Sequence, residues 1–373
     1  KPALNEGGGF TLASLFANGE DGFLFGNFAE LDELFTLSTG PTNVVSDADA
    51  VGLAIDDHAF SDTLASEVGG QSNLLTPGSW AMSVAGGTST ATETPAGQLN
   101  LSADGTNQAR GDQSFTTVAG RTYRLAATVA GSQAVAQVGA TQGSSTALNV
   151  ALTSGAGHYF VATSTTSWVR LSRINVGSLA ITDVSMKELP GNHAVQATGT
   201  QRPLWKANSG KPYLNFDGTD DRLVTPFIPT VACSIFAAFR GSFASLAVMG
   251  GGVSTGNKRC ALYLGTNGRA ALSWGAEGNA EYGAVDLRGT DHVAILTGDG
   301  TSRALWVDGI LIDERAPTGG PDGTGGGVAL GAYNNNGTPV NIGASRGHAY
   351  GALNRRVTPA EIAGITTLFQ RTF

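Results

Sequence analysis

Cysteine is nearly absent from this 373-residue chain: Cys233 and Cys260 are the only two. A disulfide framework is thereby ruled out. Five scattered histidines, without His-x3-His or Cys-x2-Cys spacing, argue equally against a zinc site. Both cysteines lie in strand-like runs, "VACSIFAAF" and "KRCALYLG", and read as neighbouring core thiols. A bridge between them would require an oxidising compartment. Charge is also scarce, at 14% of residues. Only five of the 22 basic residues are lysine, and 30 acidic residues bring the net charge to −8. Without a basic run, the chain is a poor electrostatic match for nucleic acid or an anionic membrane. No stretch approaches the roughly 18 apolar residues of a membrane span, and no secretory leader pattern opens the chain. The first residue, Lys1, reads as the product of processing or trimming.

What is abundant is glycine, 53 residues, amid alanine, serine and threonine, with 41% apolar content. Glycine supplies the positive-φ positions of tight turns, and the apolar content favours packed sheets over disorder. The length suggests two or three domains. Residues 1–21 read as a docking segment, a glycine run followed by apolar Phe10, Leu12, Leu15 and Phe16. "NFAELDELF" suggests a short helix with Leu31, Leu34 and Phe35 on one side. From about 70 to 189, period-two runs such as "TYRLAATVA", "QAVAQVG" and "LAITDVSM" recur between Gly/Ser/Thr breaks, as antiparallel strands of a jelly-roll sandwich do. In the first of these, Tyr123, Leu125, Ala127 and Val129 share a face. A second β region follows from Asn192. In it, "RALWVDGILIDE" predicts a hairpin turning at Asp308-Gly309. "VTPAEIAGITTLF" predicts a helix capped by Thr358, Pro359 and Glu361, with Ile362, Ile365 and Phe369 toward a sheet.

Several constellations carry possible chemistry. "YLNFDGTDDRL" gathers Asp217, Asp220 and Asp221 without the spacing or closing glutamate of an EF-hand loop. A hairpin turn accounts for every residue, and calcium ligation is the alternative. "GASRGH" matches Gly-x-Ser-x-Gly around Ser345, yet a strand-like run follows it, not the helix that a nucleophile elbow needs. Arg110-Gly111-Asp112 is a short motif of the kind that recurs by accident. Glu277 and Glu281 form a conceivable glycosidase pair, but on a glycine-rich loop they read as a solvated turn. That loop has another use. Trp274 and Tyr282 flank it, and Tyr333 stands beside Asn334 and Asn335 in "GAYNNNGT". Aromatic faces stack on sugar rings while amides reach hydroxyls, so these residues, with Trp80 elsewhere, are the candidate carbohydrate-binding set. Trp168 and Trp306 sit in strand alternation and are expected in cores.

The ordered series "LFANGEDGFLFGNFAELDELF", "VGLAID", "LPGNHAVQATGTQRPLW", "YLNFDGTDDRL" and "YGALNRRVTPAEIAGI" resembles a family of phage and prophage virion proteins. These carry a concanavalin A-like (laminin-G-like) domain, and the resemblance covers about 21–62 and 190–373. It implies an all-β chain: a discontinuous concanavalin A-like sandwich over 22–69 and 190–373, a carbohydrate-binding-module-like jelly roll inserted at 70–189, and a short C-terminal helix. "NLLTPGSW" and "LAITDVSMKELPG" resemble the entry and exit of such insertions, while "DDHAFSDTLASEVGG" departs from the shorter turn of relatives. The function implied is a non-catalytic tail or head fibre, spike or similar adhesin on the virion surface, assembled in the host cytoplasm. It would bind host surface polysaccharide, work as a homo-oligomer, dock on other virion proteins through the N-terminal segment, and need no cofactor, calcium aside. A purely structural decoration protein and a secreted polysaccharide-active enzyme, or its binding module, are the alternatives.

Overall fold

Short apolar segments separated by glycine-rich turns leave the backbone one economical way to satisfy its hydrogen bonds, which is antiparallel pairing. The computed structural model follows that rule. It describes residues 10, 12–17, 20–25, 34–35, 48–54, 56, 71–131, 133–189, 191–208, 211–242, 246–255 and 258–373. The chain is nearly all β, built of sandwiches with a helix at the C-terminus. The described residues fall into two compact units, one of 71–189 and one assembled from 10–35, 48–56 and 191–373.

The continuous unit consists of two five-stranded antiparallel sheets. One runs Leu148–Ala151, Val135–Gly139, Thr166–Arg173, Ala109–Thr116, Ala81–Val84; the other runs His158–Val161, Thr122–Gly131, Gly177–Leu189, Leu99–Ala103, Thr90–Glu93. Alternation decides what enters the core. Tyr123, Leu125 and Ala127 point inward with Leu171, Val169, Ile181 and Phe160, and Val129 packs against them. Trp80 joins this core. Trp168 does not, because Val169 and Leu171 hold the inward positions of its strand and leave it half-buried beside Arg170. Arg110-Gly111-Asp112 lies mid-strand, with Asp112 buried and paired to Arg170 at 2.6 Å, so it is not an exposed recognition loop.

The discontinuous unit packs an eight-stranded sheet against an eleven-stranded one. Between them lie Phe23, Phe216, Ile235, Phe239, Leu296 and Tyr350 from the first and Val248, Met249, Leu262, Leu272, Trp274 and Leu330 from the second. Each such side chain contributes about 1.5–3 kcal/mol on burial. Cys233 and Cys260 meet here from opposite sheets as free thiols, Sγ to Sγ 3.6 Å. Burial pushes the Cys233 thiol well above its ordinary range.

The outer face of the eight-stranded sheet is covered by the helix Pro359–Phe369, whose Ile362, Ile365, Leu368 and Phe369 pack on Phe236, Val293, Ile295 and Leu353. Its capping box is complete: the Glu361 amide donates to Thr358 Oγ1 (3.3 Å) and the Thr358 amide to Glu361 Oε2 (2.7 Å). Phe10, Leu15 and Phe16 belong to the same cluster. Of the apolar residues in the expected docking segment, Leu15 is buried against this sheet face and Phe10 and Phe16 are half-buried on it. The remainder of the 1–21 segment lies largely outside the described residues. Leu34–Phe35 is a strand paired with Leu53–Ala54 rather than part of a helix, since that partner supplies its backbone hydrogen bonds. The preceding residues of "NFAELDELF", and the 57–70 boundary, lie outside the described residues.

One network closes the discontinuous unit where its sequence is interrupted. Asp56 is fully buried and accepts from the Leu24 amide (2.8 Å) and the Asn192 amide (2.7 Å), while its own amide donates to His193 Nδ1 (3.0 Å). Asn192 Nδ2 continues to Asp21 (2.9 Å) and the Gly22 carbonyl (2.6 Å). Asp56 is thus joined to Asn192 and His193 through polar groups.

Candidate functional site

The aspartate cluster is a turn. Strand Lys211–Asp217 ends at Gly218, whose φ of +81° suits glycine and whose absent Cβ would stand 2.7 Å from Ala344 Cβ. Asp217 Oδ1 accepts from the amides of Thr219 (2.7 Å), Asp220 (3.2 Å) and Asp221 (3.4 Å), and Asp221 Oδ2 accepts from the Asp217 amide (3.0 Å). Partial burial opposes ionisation of Asp217, but those amides outweigh it and hold the carboxyl below its usual range. Asp221 goes the other way: burial, reinforced by the charges of Asp217 and Asp220, raises it to about 6. Carboxylate oxygens of the three residues lie within 4.8 Å of one another.

The aromatic candidates separate. Trp274 is completely buried among Leu262 and Leu272, so no ring face is open to a sugar. The alternation Ala270, Leu272, Trp274 dictates this, since all three point to the core. Trp80 is withdrawn for the same reason. Tyr282 is half-buried, with the guanidinium groups of Arg303 and Arg315 each 4.9 Å from its ring centre, so its ring already has cationic partners. Asn334 is buried, its Nδ2 donating to the Gly326 carbonyl at 2.6 Å. Tyr333 and Asn335, which alternate with it, point to the opposite face of the sheet.

There, on the outer face of the eleven-stranded sheet, lies a cleft of about 310 Å³. Strand Lys258–Leu264 sends Cys260, Leu262 and Leu264 inward and Arg259 and Tyr263 out to the cleft. Strand Ala270–Gly275 adds Ser273, and Ser254 follows strand Leu246–Val253. Strand Tyr333–Asn335, running parallel to Leu246–Val253, brings Tyr333 and Asn335. It turns through Asn336 (φ 50°) and Gly337 (φ 86°) into Thr338–Val340, whose end supplies Val340 and Asn341. "NNNG" is therefore mainly a two-residue hairpin turn. Small side chains at Ala247, Ala261 and Ala271 cluster with Tyr263 and Tyr333 and leave room for the depression.

The two tyrosine rings stand 6.3 Å apart at 49°. The Tyr263 hydroxyl lies near the Asn341 side chain, and the buried Tyr333 hydroxyl has no partner among the described residues. Burial pushes Tyr333 up to about 12 and raises Tyr263 further, so both stay neutral hydrogen-bond donors. Asn335 Oδ1 accepts from the Ser254 amide (2.9 Å), leaving its amide nitrogen available. None of the lining residues is acidic. Arg259, Tyr263, Ser254 and Asn341 were absent from the candidates read in sequence. The alternation Arg259/Ala261/Tyr263 against Cys260/Leu262/Leu264 is the signal that marks two of them.

Glu277 and Glu281 do not face each other as a catalytic pair. Glu277 binds the fully buried Arg303 (2.6 Å), and Glu281 is held by Thr266 (2.6 Å) and Asn267 (3.0 Å), contacts that lower its pKa. A general acid for glycoside cleavage needs the opposite shift. Ser345 lies within the strand Ala344–Leu353, not on a strand-to-helix elbow, and the nearby His348 directs Nε2 to Asp291 (3.2 Å).

No family model and no curated protein matches the chain. Among solved structures it is similar to Trypanosoma rangeli sialidase (TM-score 0.36, 15% identity, 50% of this chain, 30% of that one). It is also similar to the CBM40 of Ruminococcus gnavus IT-sialidase bound to alpha2,3 sialyllactose (TM-score 0.32, 13% identity, 38% of this chain, 84% of that one). A third is NanB sialidase from Streptococcus pneumoniae (TM-score 0.29, 14% identity, 36% of this chain, 24% of that one). The chain thus spans under a third of the trypanosomal enzyme, and likeness at these scores carries no argument about chemistry.

Proposed function

We propose that this chain is a non-catalytic glycan-binding protein displayed on a phage or phage-like particle, where it contacts bacterial surface polysaccharide. The observation that carries the binding reading is the cleft beside Tyr263 and Tyr333. Arg259, Ser254, Asn335 and Asn341 converge there around two largely buried tyrosine rings, and its volume is at the lower end of small-ligand sites. The absence of any carboxylate from its lining, together with the ion-paired state of Glu277, supports binding over hydrolysis. Placement on a particle rests on the ordered motifs of the sequence. A single shallow cleft of this kind binds weakly, and display of many copies raises avidity by orders of magnitude.

Affinity electrophoresis through gels holding lipopolysaccharide or capsule from candidate hosts tests this reading. The wild-type chain is expected to be retarded without shortening the polymer. Ser254→Trp, which fills the cleft from a half-buried position, is expected to remove most of the retardation. Equal retardation of that variant, or depolymerisation, would overturn the reading.

A further inference from the structure

We infer that the glycan taken by this cleft is anionic, a sugar bearing a carboxylate or sulfate that is met by Arg259. The inference rests on the glycan-binding reading and gives its substrate class. Two independent features of the site lead to it.

The first is the state of Arg259. The guanidinium's one hydrogen bond among the described residues is a long one, 3.5 Å, to the Ser254 carbonyl, and no carboxylate pairs with it there. The adjacent Lys258 is paired with Asp322 at 2.7 Å. Elsewhere in the same unit Arg240, Arg303, Arg315, Arg355 and Arg356 have acidic partners, Arg222 bonds Gln201 and the Asp220 carbonyl, and Arg346 stacks on Tyr213. In a chain of net charge −8, a half-buried arginine lining an acid-free cleft is a cation held without its counter-ion. Its planar fork suits a carboxylate or sulfate group.

The second is the Tyr333 hydroxyl, in a residue 3% exposed and without a partner among the described residues. Buried polar groups are almost always bonded, so this hydroxyl, buried just beneath the cleft, is a donor that a group settling deep into the cleft would satisfy. The other polar lining groups are amides and hydroxyls, which complement a sugar's hydroxyls but do not select for charge. A single arginine without a basic run is too little positive charge for a nucleic acid, which needs many phosphate contacts.

The test uses the full chain in affinity electrophoresis against alginate, hyaluronan and polygalacturonate, each beside its carboxyl-reduced neutral form, and dextran sulfate beside dextran. At least one anionic polymer is expected to retard the wild type much more than its neutral counterpart, with retardation falling as salt rises. Arg259→Gln is expected to weaken that binding by about tenfold or more and to abolish the preference, with Arg259→Lys intermediate. Unchanged melting temperatures would confirm that both variants fold. Equal retardation by charged and neutral forms would overturn the inference and leave glycan binding standing, as would an Arg259→Gln variant that keeps the preference. A wild type retarded by none of these polymers in either form would overturn the inference. If host lipopolysaccharide and capsule also failed to retard it, the functional reading would fall as well.

Discussion

Asp221 shows how one side chain can be both structural and costly. It accepts the Asp217 amide and so closes the turn, but burial and two neighbouring carboxylates raise its pKa from 3.8 to about 6. Because the folded carboxyl keeps its proton to higher pH than the unfolded one, the folded state binds more protons between those values. Stability therefore falls as pH rises from about 4 to about 6 and then levels off. Asp221→Asn keeps an acceptor for the Asp217 amide and removes the charge. It should stabilise the chain by about 1 kcal/mol at pH 8, after discounting for screening, and change nothing near pH 3.5. Thermal melts at the two pH values, with and without calcium, check this. Destabilisation by the variant at pH 8, or a wild-type melting temperature that climbs with calcium, would contradict the turn reading and restore the three aspartates as ligands.

Among the elements, those specified by neighbours in sequence were legible. The hairpin turns at Asp308 (φ 51°) and Gly309 (φ 78°), and the helix carries its capping box at Thr358 and Glu361. Each depends on a few adjacent residues. The burial of Trp274 was also legible, since it continues the alternation of Ala270 and Leu272, but reading "SWGAEGNAEYG" as a loop obscured it. The cleft was not legible. Its lining comes from residues 254–273 and 333–341, joined by a parallel pairing whose register no local pattern reveals. The Asp56 network is equally non-local, linking residues 136 positions apart at Asn192. Asp56→Ala would strand the buried Leu24 and Asn192 amides and should cost about 3 kcal/mol. Urea unfolding measures it, and a loss below about 1 kcal/mol would show that the network does not hold the interrupted unit together.

At the scale of the whole molecule, the two outer faces of the discontinuous sandwich have different uses. The eight-stranded sheet is covered by the C-terminal helix and by Phe10, Leu15 and Phe16, and the eleven-stranded sheet bears the cleft. Acidic residues take up several of this unit's arginines, and Arg259 at the cleft is among those without an acidic partner. The division gives the chain one face suited to selecting a ligand, and its negative net charge discourages indiscriminate adsorption to nucleic acid. Hydrogen–deuterium exchange of the full chain, with and without the polysaccharide that retards it most, tests the central claim directly. Protection is predicted in peptides covering 246–255, 258–264 and 333–341. Protection confined to 71–189, or none in those three segments at saturating polysaccharide, would contradict the cleft as the binding site.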